Sequence, residues 1–186
     1  MKKFFLPLIL ATLFVFHAHA LLQTVSIGEI PTSNTPETPG CETQTLTFTP
    51  PVGWHLVDIS SLSSTVQTMV VGKGQYPYPP SMNLTTEPYA GTLKQYLKII
   101  KAMNDSLNHE WKDLGWIETK AGRASLSQVD SQTEWGNVRL MHVVLLKNGR
   151  IYILTASALK DEFTNFYKDF FNSMKSLSFA AERSSG

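Results

Sequence analysis

Five histidines, one cysteine and a run of Ser, Asp and Glu between 125 and 134 are the residues of this chain with chemistry to offer. Metal binding or hydrolysis needs such groups at set spacings, such as His-x-His or His-Glu-x-x-His for a metal and Gly-x-Ser-x-Gly for an activated serine. His17 and His19 fall in an N-terminal segment that export would remove, and His55, His109 and His142 keep no ligand spacing. His109-Glu110 would need a distant partner to hold a metal. Cys41 lies in "TPETPGCET", where pairing with a histidine would require the segment to fold back. "GKG" at 72–74 is too short for a phosphate-cradling loop. Ser125, Ser127, Asp130 and Glu134 read as a polar strand and corner on a solvated edge. His142 stands mid-strand among apolar residues, as a core histidine with its hydrogen bonds made. No catalytic, metal or cofactor site is therefore assigned. An enzyme of the hydrolase type would have to place an unrecognised site near His142 or Glu134. Convergent polar groups around a formed pocket would favour that alternative, and a filled core under a surface groove a binding module. The sharpest functional stretch is "QYPYPP" at 75–80. Prolines restrict this loop, and Tyr76 and Tyr78 are expected to be exposed partner-binding anchors, aromatic rings being favoured at interfaces. The competing reading is a loop folded back on its own domain.

Composition narrows the class of partner. The 186 residues carry a formal net charge of +1, with 17% charged and 42% hydrophobic residues. A chain without a basic surplus lacks the driving term for nucleic acid or an acidic membrane surface. Lys2 and Lys3, the apolar run "FFLPLILATLFVF" and the small residues of "AHA" at 18–20 form a secretory signal, with cleavage after Ala20. The run is short for a bilayer span, which takes about 20 residues. An uncleaved N-terminal anchor in the inner membrane is the alternative. The expected location is the periplasm or the exterior. Cys41 has no second cysteine in the chain, so no internal disulfide can stabilise the fold, although an intermolecular one is open. "IPTSNTPETPG" makes 21–44 a Pro/Thr-rich linker, 45–180 the folded domain and 181–186 a tail.

These residues need elements to position them. "LTF" at 46–48, "WHLVDI" at 54–59, "VQTMVV" at 66–71 and "MNLTT" at 82–86 read as strands. Thr92 and Gln95 form a capping box, followed by Leu93, Tyr96, Leu97, Ile100, Met103 and Leu107 on one face of a helix over 92–109. "GRASLSQVD" pairs with "VRLMHVVLL", and that strand pairs with "IYILTAS" across Asn148-Gly149, a type I′ hairpin signal. A second helix carries Phe163, Phe166, Tyr167, Phe170, Phe171 and Met174, with Ser157 as its cap and Asp161 and Glu162 at its positive end. Val138, Leu140, His142 and Val144 share one face of their strand, and Met141, Val143 and Leu145 the other. A sheet apolar on both sides must be covered on both sides. The expected class is α+β, an antiparallel sheet sandwiched between helices.

"LTFTPPVGWHLVD", the capped helix after "EPYAGTLKQYLKII" and the stretch from "GRASLSQVD" to the closing "SLSF" resemble the PsbP-like fold over most of 46–179. That group includes the extrinsic photosystem II protein, bacterial periplasmic DcrB-like proteins and a nuclear Ran-binding release factor. The resemblance implies a binding or assembly-support module without catalysis, docking a protein partner in the envelope. The N-terminal docking segment of the photosynthetic members has no counterpart here, so the photosynthetic role is not implied.

Overall fold

The computed structural model describes residues 45–74 and 77–180. In chain order the elements are β1 (Leu46–Thr47), β2 (His55–Leu56), β3 (Val66–Val71), β4 (Ser81–Pro88), α1 (Leu93–Ser106), β5 (Glu110–Thr119), β6 (Gly122–Thr133), β7 (Gly136–Lys147), β8 (Arg150–Leu159), α2 (Phe163–Lys175) and β9 (Ser178–Phe179). Seven strands form an antiparallel sheet in the order β2-β3-β4-β8-β7-β6-β5. β1 and β9 pair separately. The tight link between β7 and β8 follows from backbone geometry: Asn148 has φ 51° and Gly149 φ 68°, as a type I′ turn requires.

Alternation along β7 and β8 sends apolar side chains to both faces, and a helix covers each. On one face Phe163, Phe170 and Met174 of α2 pack with Met141, Val143, Leu154 and Ala156. Trp54 closes that core edge-on against Phe166 and Phe170, with ring centroids 6.3 and 5.8 Å away. A side chain at Gly72 would place its Cβ 2.5 Å from the Trp54 indole, so the bare backbone there makes room for the ring. On the opposite face Tyr96, Ile100 and Met103 of α1 pack against Val144 and Ile151. The capping box forms as expected, the Gln95 amide donating to Thr92 Oγ1 at 3.3 Å and the Thr92 amide to Gln95 Oε1 at 2.8 Å. The two-sided cover expected from the strand pattern is the one observed.

Several local expectations are corrected. β5 is an additional strand, ten residues long, at the sheet edge beyond β6. It hides Ser125, Ser127 and Asp130 from solvent, so β6 is no solvated edge; Glu134 alone of that group is exposed, in the β6–β7 turn. Only His55–Leu56 of "WHLVDI" pairs as a strand. α1 stops at Ser106, because Leu107 caps it and Asn108 turns to φ 55°. Ser157 does not cap a helix: β8 runs on to Leu159, and α2 starts after Glu162, which makes no side-chain cap bond.

Candidate functional site

The proline-restricted loop behaves differently from the expectation of exposed rings. Tyr76 lies outside the described residues. Tyr78 is 4% exposed and packs with Val129, Val138 and Leu140. Its hydroxyl donates to Ser157 Oγ at 3.2 Å, and its ring lies 5.8 Å from Trp135. Burial raises the Tyr78 hydroxyl pKa above its ordinary value. The expected exposure of Tyr78 is thus corrected. The sheet's α1 face carries a second apolar cluster, of Val129, Val138 and Leu140, and Tyr78 together with Trp135 covers it.

Between those two covers lies a polar row. Asp113 on β5 faces Ser127 on β6, which faces His142 on β7, then Thr155 on β8, then Asn83 on β4. All but Asp113 are buried. A row of hydrogen-bonding groups thus crosses five strands of this sheet face, with its one acid at the exposed end. Above it is a hollow of about 30 Å³ whose floor is Asn83, Thr85, Ser127, His142 and Thr155. Its walls are apolar: Tyr96, Leu97 and Ile100 from α1, with Val144 and Ile153 from the sheet. One water needs roughly 10–15 Å³ on this scale, so the space suits a group of two or three heavy atoms.

The electrostatics of the hollow are neutral. His142 is 6% exposed, and its Nδ1 shares a hydrogen bond of 3.0 Å with Thr155 Oγ1. Burial lowers its pKa from 6.5 to about 4, because the imidazolium would leave water, so the ring is uncharged at pH 7. Among the described residues the lining includes no acid, lysine, arginine or cysteine. Glu134 is not brought to His142. It sits in the turn before β7, and His142 lies six residues beyond Gly136, roughly 20 Å along an extended strand. His55 is exposed on β2, and no three His, Cys, Asp or Glu side chains among the described residues gather as a metal site.

The charged groups that do cluster hold the fold. Asp130 receives Arg139 in a two-pronged pair at 2.7 and 2.7 Å and Lys160 at 2.7 Å. The Arg139 hydrogen bonds, ahead of those from Lys160, hold its carboxyl down to about 2. Arg139 also lies over the Phe163 ring at 5.8 Å, which places this network on the α2 face. On the α1 face, Tyr96 donates to buried Glu87 at 2.6 Å and ties the helix to β4.

Sequence reasoning missed an exposed aromatic on the edge strand. Trp116 is 53% exposed and shares a row with Ser125 and Val144, hence the α1 face. Arg123 sits 4.9 Å from its ring and pairs with Glu118 at 3.8 Å. Leu114, also exposed, occupies a bulge made where Gly115 takes φ 87°. An aromatic beside a glycine in a charge-rich stretch was the available signal, but it becomes an edge feature only once β5 is known to be a strand.

No protein-family model matches the sequence, and no curated protein matches it. Among solved structures, LpqN of Mycobacterium tuberculosis, involved in cell envelope biogenesis, superposes with a TM-score of 0.56 at 16% identity, covering 78% of this chain and 88% of that one. PA94 of Pseudomonas aeruginosa gives 0.51 at 11% identity, over 69% and 99%. The cyanobacterial PsbP of Synechocystis gives 0.45 at 13% identity, over 77% and 98%. At these identities the likeness to the first two shows a shared fold alone. The chain has the α+β architecture expected from its sequence, an antiparallel sheet with a helix on each face.

Proposed function

We propose that this protein is an exported, non-catalytic binding module of the cell envelope that docks a protein partner on the α1 face of its sheet. The observation that carries the reading is the make-up of that face: a hollow with a neutral polar floor, apolar walls and an exposed tryptophan on the strand beside it. Half-exposed aromatics next to a recess are the usual anchors of protein interfaces. A buried neutral imidazole held by a threonine hydroxyl is suited to hydrogen bonding rather than to proton transfer near pH 7. The fold shared with LpqN, a protein involved in cell envelope biogenesis, and the secretory signal support an envelope location.

Affinity capture from native envelope extract, with the mature protein as bait, tests the reading. Trp116→Ala is expected to lose the captured partner while keeping the wild-type melting temperature, Leu97→Glu to lose it at a somewhat lower melting temperature because Leu97 packs on the α1 core, and Tyr76→Ala is tested beside them. Lys168→Ala, on the exposed side of α2, is the control. Capture undiminished by both Trp116→Ala and Leu97→Glu would move the docking surface elsewhere.

A further inference from the structure

The hollow beneath α1 has a selectivity of its own, because its size, charge and wall chemistry each restrict what can enter. Its volume of about 30 Å³ admits two or three heavy atoms. The floor offers both donors and acceptors: the Asn83 amide, the Ser127 and Thr155 hydroxyls and the His142 ring. Neighbouring strands set such groups about 5 Å apart, so a guest with donor and acceptor on one carbon can bridge two of them. A lone hydroxyl can bridge them as well, but its single heavy atom leaves about half of the hollow unfilled. A carboxylate or ammonium would leave water without a counter-charge among the described lining residues, a cost that a neutral guest avoids. Leu97, Ile100 and Ile153 line the hollow with apolar surface that a charged guest would not favour.

We propose that this hollow receives an uncharged carboxamide on a short aliphatic stem, the side-chain end of a glutamine or asparagine of the docked partner. The inference rests on the docking reading above and adds the chemistry of the contact.

The test is titration of the 15N-labelled mature protein with propionamide, and in parallel with propionate and propylamine, followed by amide shifts. Propionamide is expected to give saturable shifts centred on Asn83, Ser127, His142 and Thr155, with the charged analogues about tenfold weaker or worse. A capped Ala-Gln-Ala peptide should bind where its Ala-Glu-Ala counterpart does not, which assigns the amide to a side chain. Ile100→Phe, which fills the hollow from the helix, should abolish the shifts. Ser127→Ala changes little volume and should weaken them if the phenylalanine variant fails to fold. Equal binding of propionate, shifts unaltered by these variants, or no saturable shifts at all would overturn the proposal. Loss of capture by Trp116→Ala and Leu97→Glu without a propionamide site would leave the docking surface standing and remove only the carboxamide contact.

Discussion

His142 shows how one residue's surroundings decide its chemistry. Its ring is buried, bonded to Thr155, and held near 4 against an ordinary 6.5. The unfolded chain therefore takes up a proton before the folded one does. Stability from the neutral ring is complete above about pH 6.5 and declines as pH falls toward 4, by about 3 kcal/mol in total. Denaturant midpoints measured from pH 8 to 4 should show this decline in the wild type and a flatter profile in His142→Gln. A profile unchanged by the substitution would mean that other groups carry the dependence. The core-histidine reading was legible in the sequence, since alternation placed His142 between Leu140 and Val144. The hollow was not, because Asn83, Ser127 and Thr155 come together only through the register of four strands. Tyr78 turns inward for a related reason: the loop's composition does not reveal that an uncovered apolar cluster awaits its ring.

At the scale of elements, what was legible is what depends on neighbours in sequence. The Asn-Gly turn and the capping box both formed, as local backbone chemistry demands. Gly149→Val should therefore destabilise: nothing lies within 4 Å of a Cβ there, so the cost is backbone strain, on the order of 1–2 kcal/mol or more for a branched residue at positive φ. In α2 the two phenylalanines separate cleanly. Phe170 is fully buried, and Phe170→Ala should cost about 3–5 kcal/mol. Phe166 is half-buried, so its truncation should cost clearly less. Chemical denaturation of the three variants checks both the signs and the order. β5 escaped the sequence reading because its bulge at Leu114–Gly115 breaks the two-residue period and its outer positions are charged. Those features also protect an edge strand from unwanted pairing. The start of α2 was misplaced for the opposite reason. Ser157 has the chemistry of a cap, but its hydroxyl is engaged by Tyr78 and Ser81 within the sheet.

The whole molecule places two dissimilar faces back to back. The α2 face is a continuous aromatic and aliphatic core, whereas the α1 face divides into two apolar clusters with the polar row between them. The proposed docking uses the divided face, and no helix among the described residues is long and apolar enough to cross a membrane. Proposed export predicts that mass spectrometry of envelope-fraction protein finds a mature N-terminus at Leu21, and an intact Met1 would contradict cleavage. The claim that the α1 face docks a protein is tested most directly by photo-crosslinking in intact cells, with a photoreactive residue placed singly at Leu97, Trp116 or Tyr167. Tyr167 is 49% exposed on α2 and serves as the opposite-face position. Docking on the α1 face predicts one discrete protein adduct from Leu97 and Trp116 and none from Tyr167. An adduct from Tyr167 alone would contradict it.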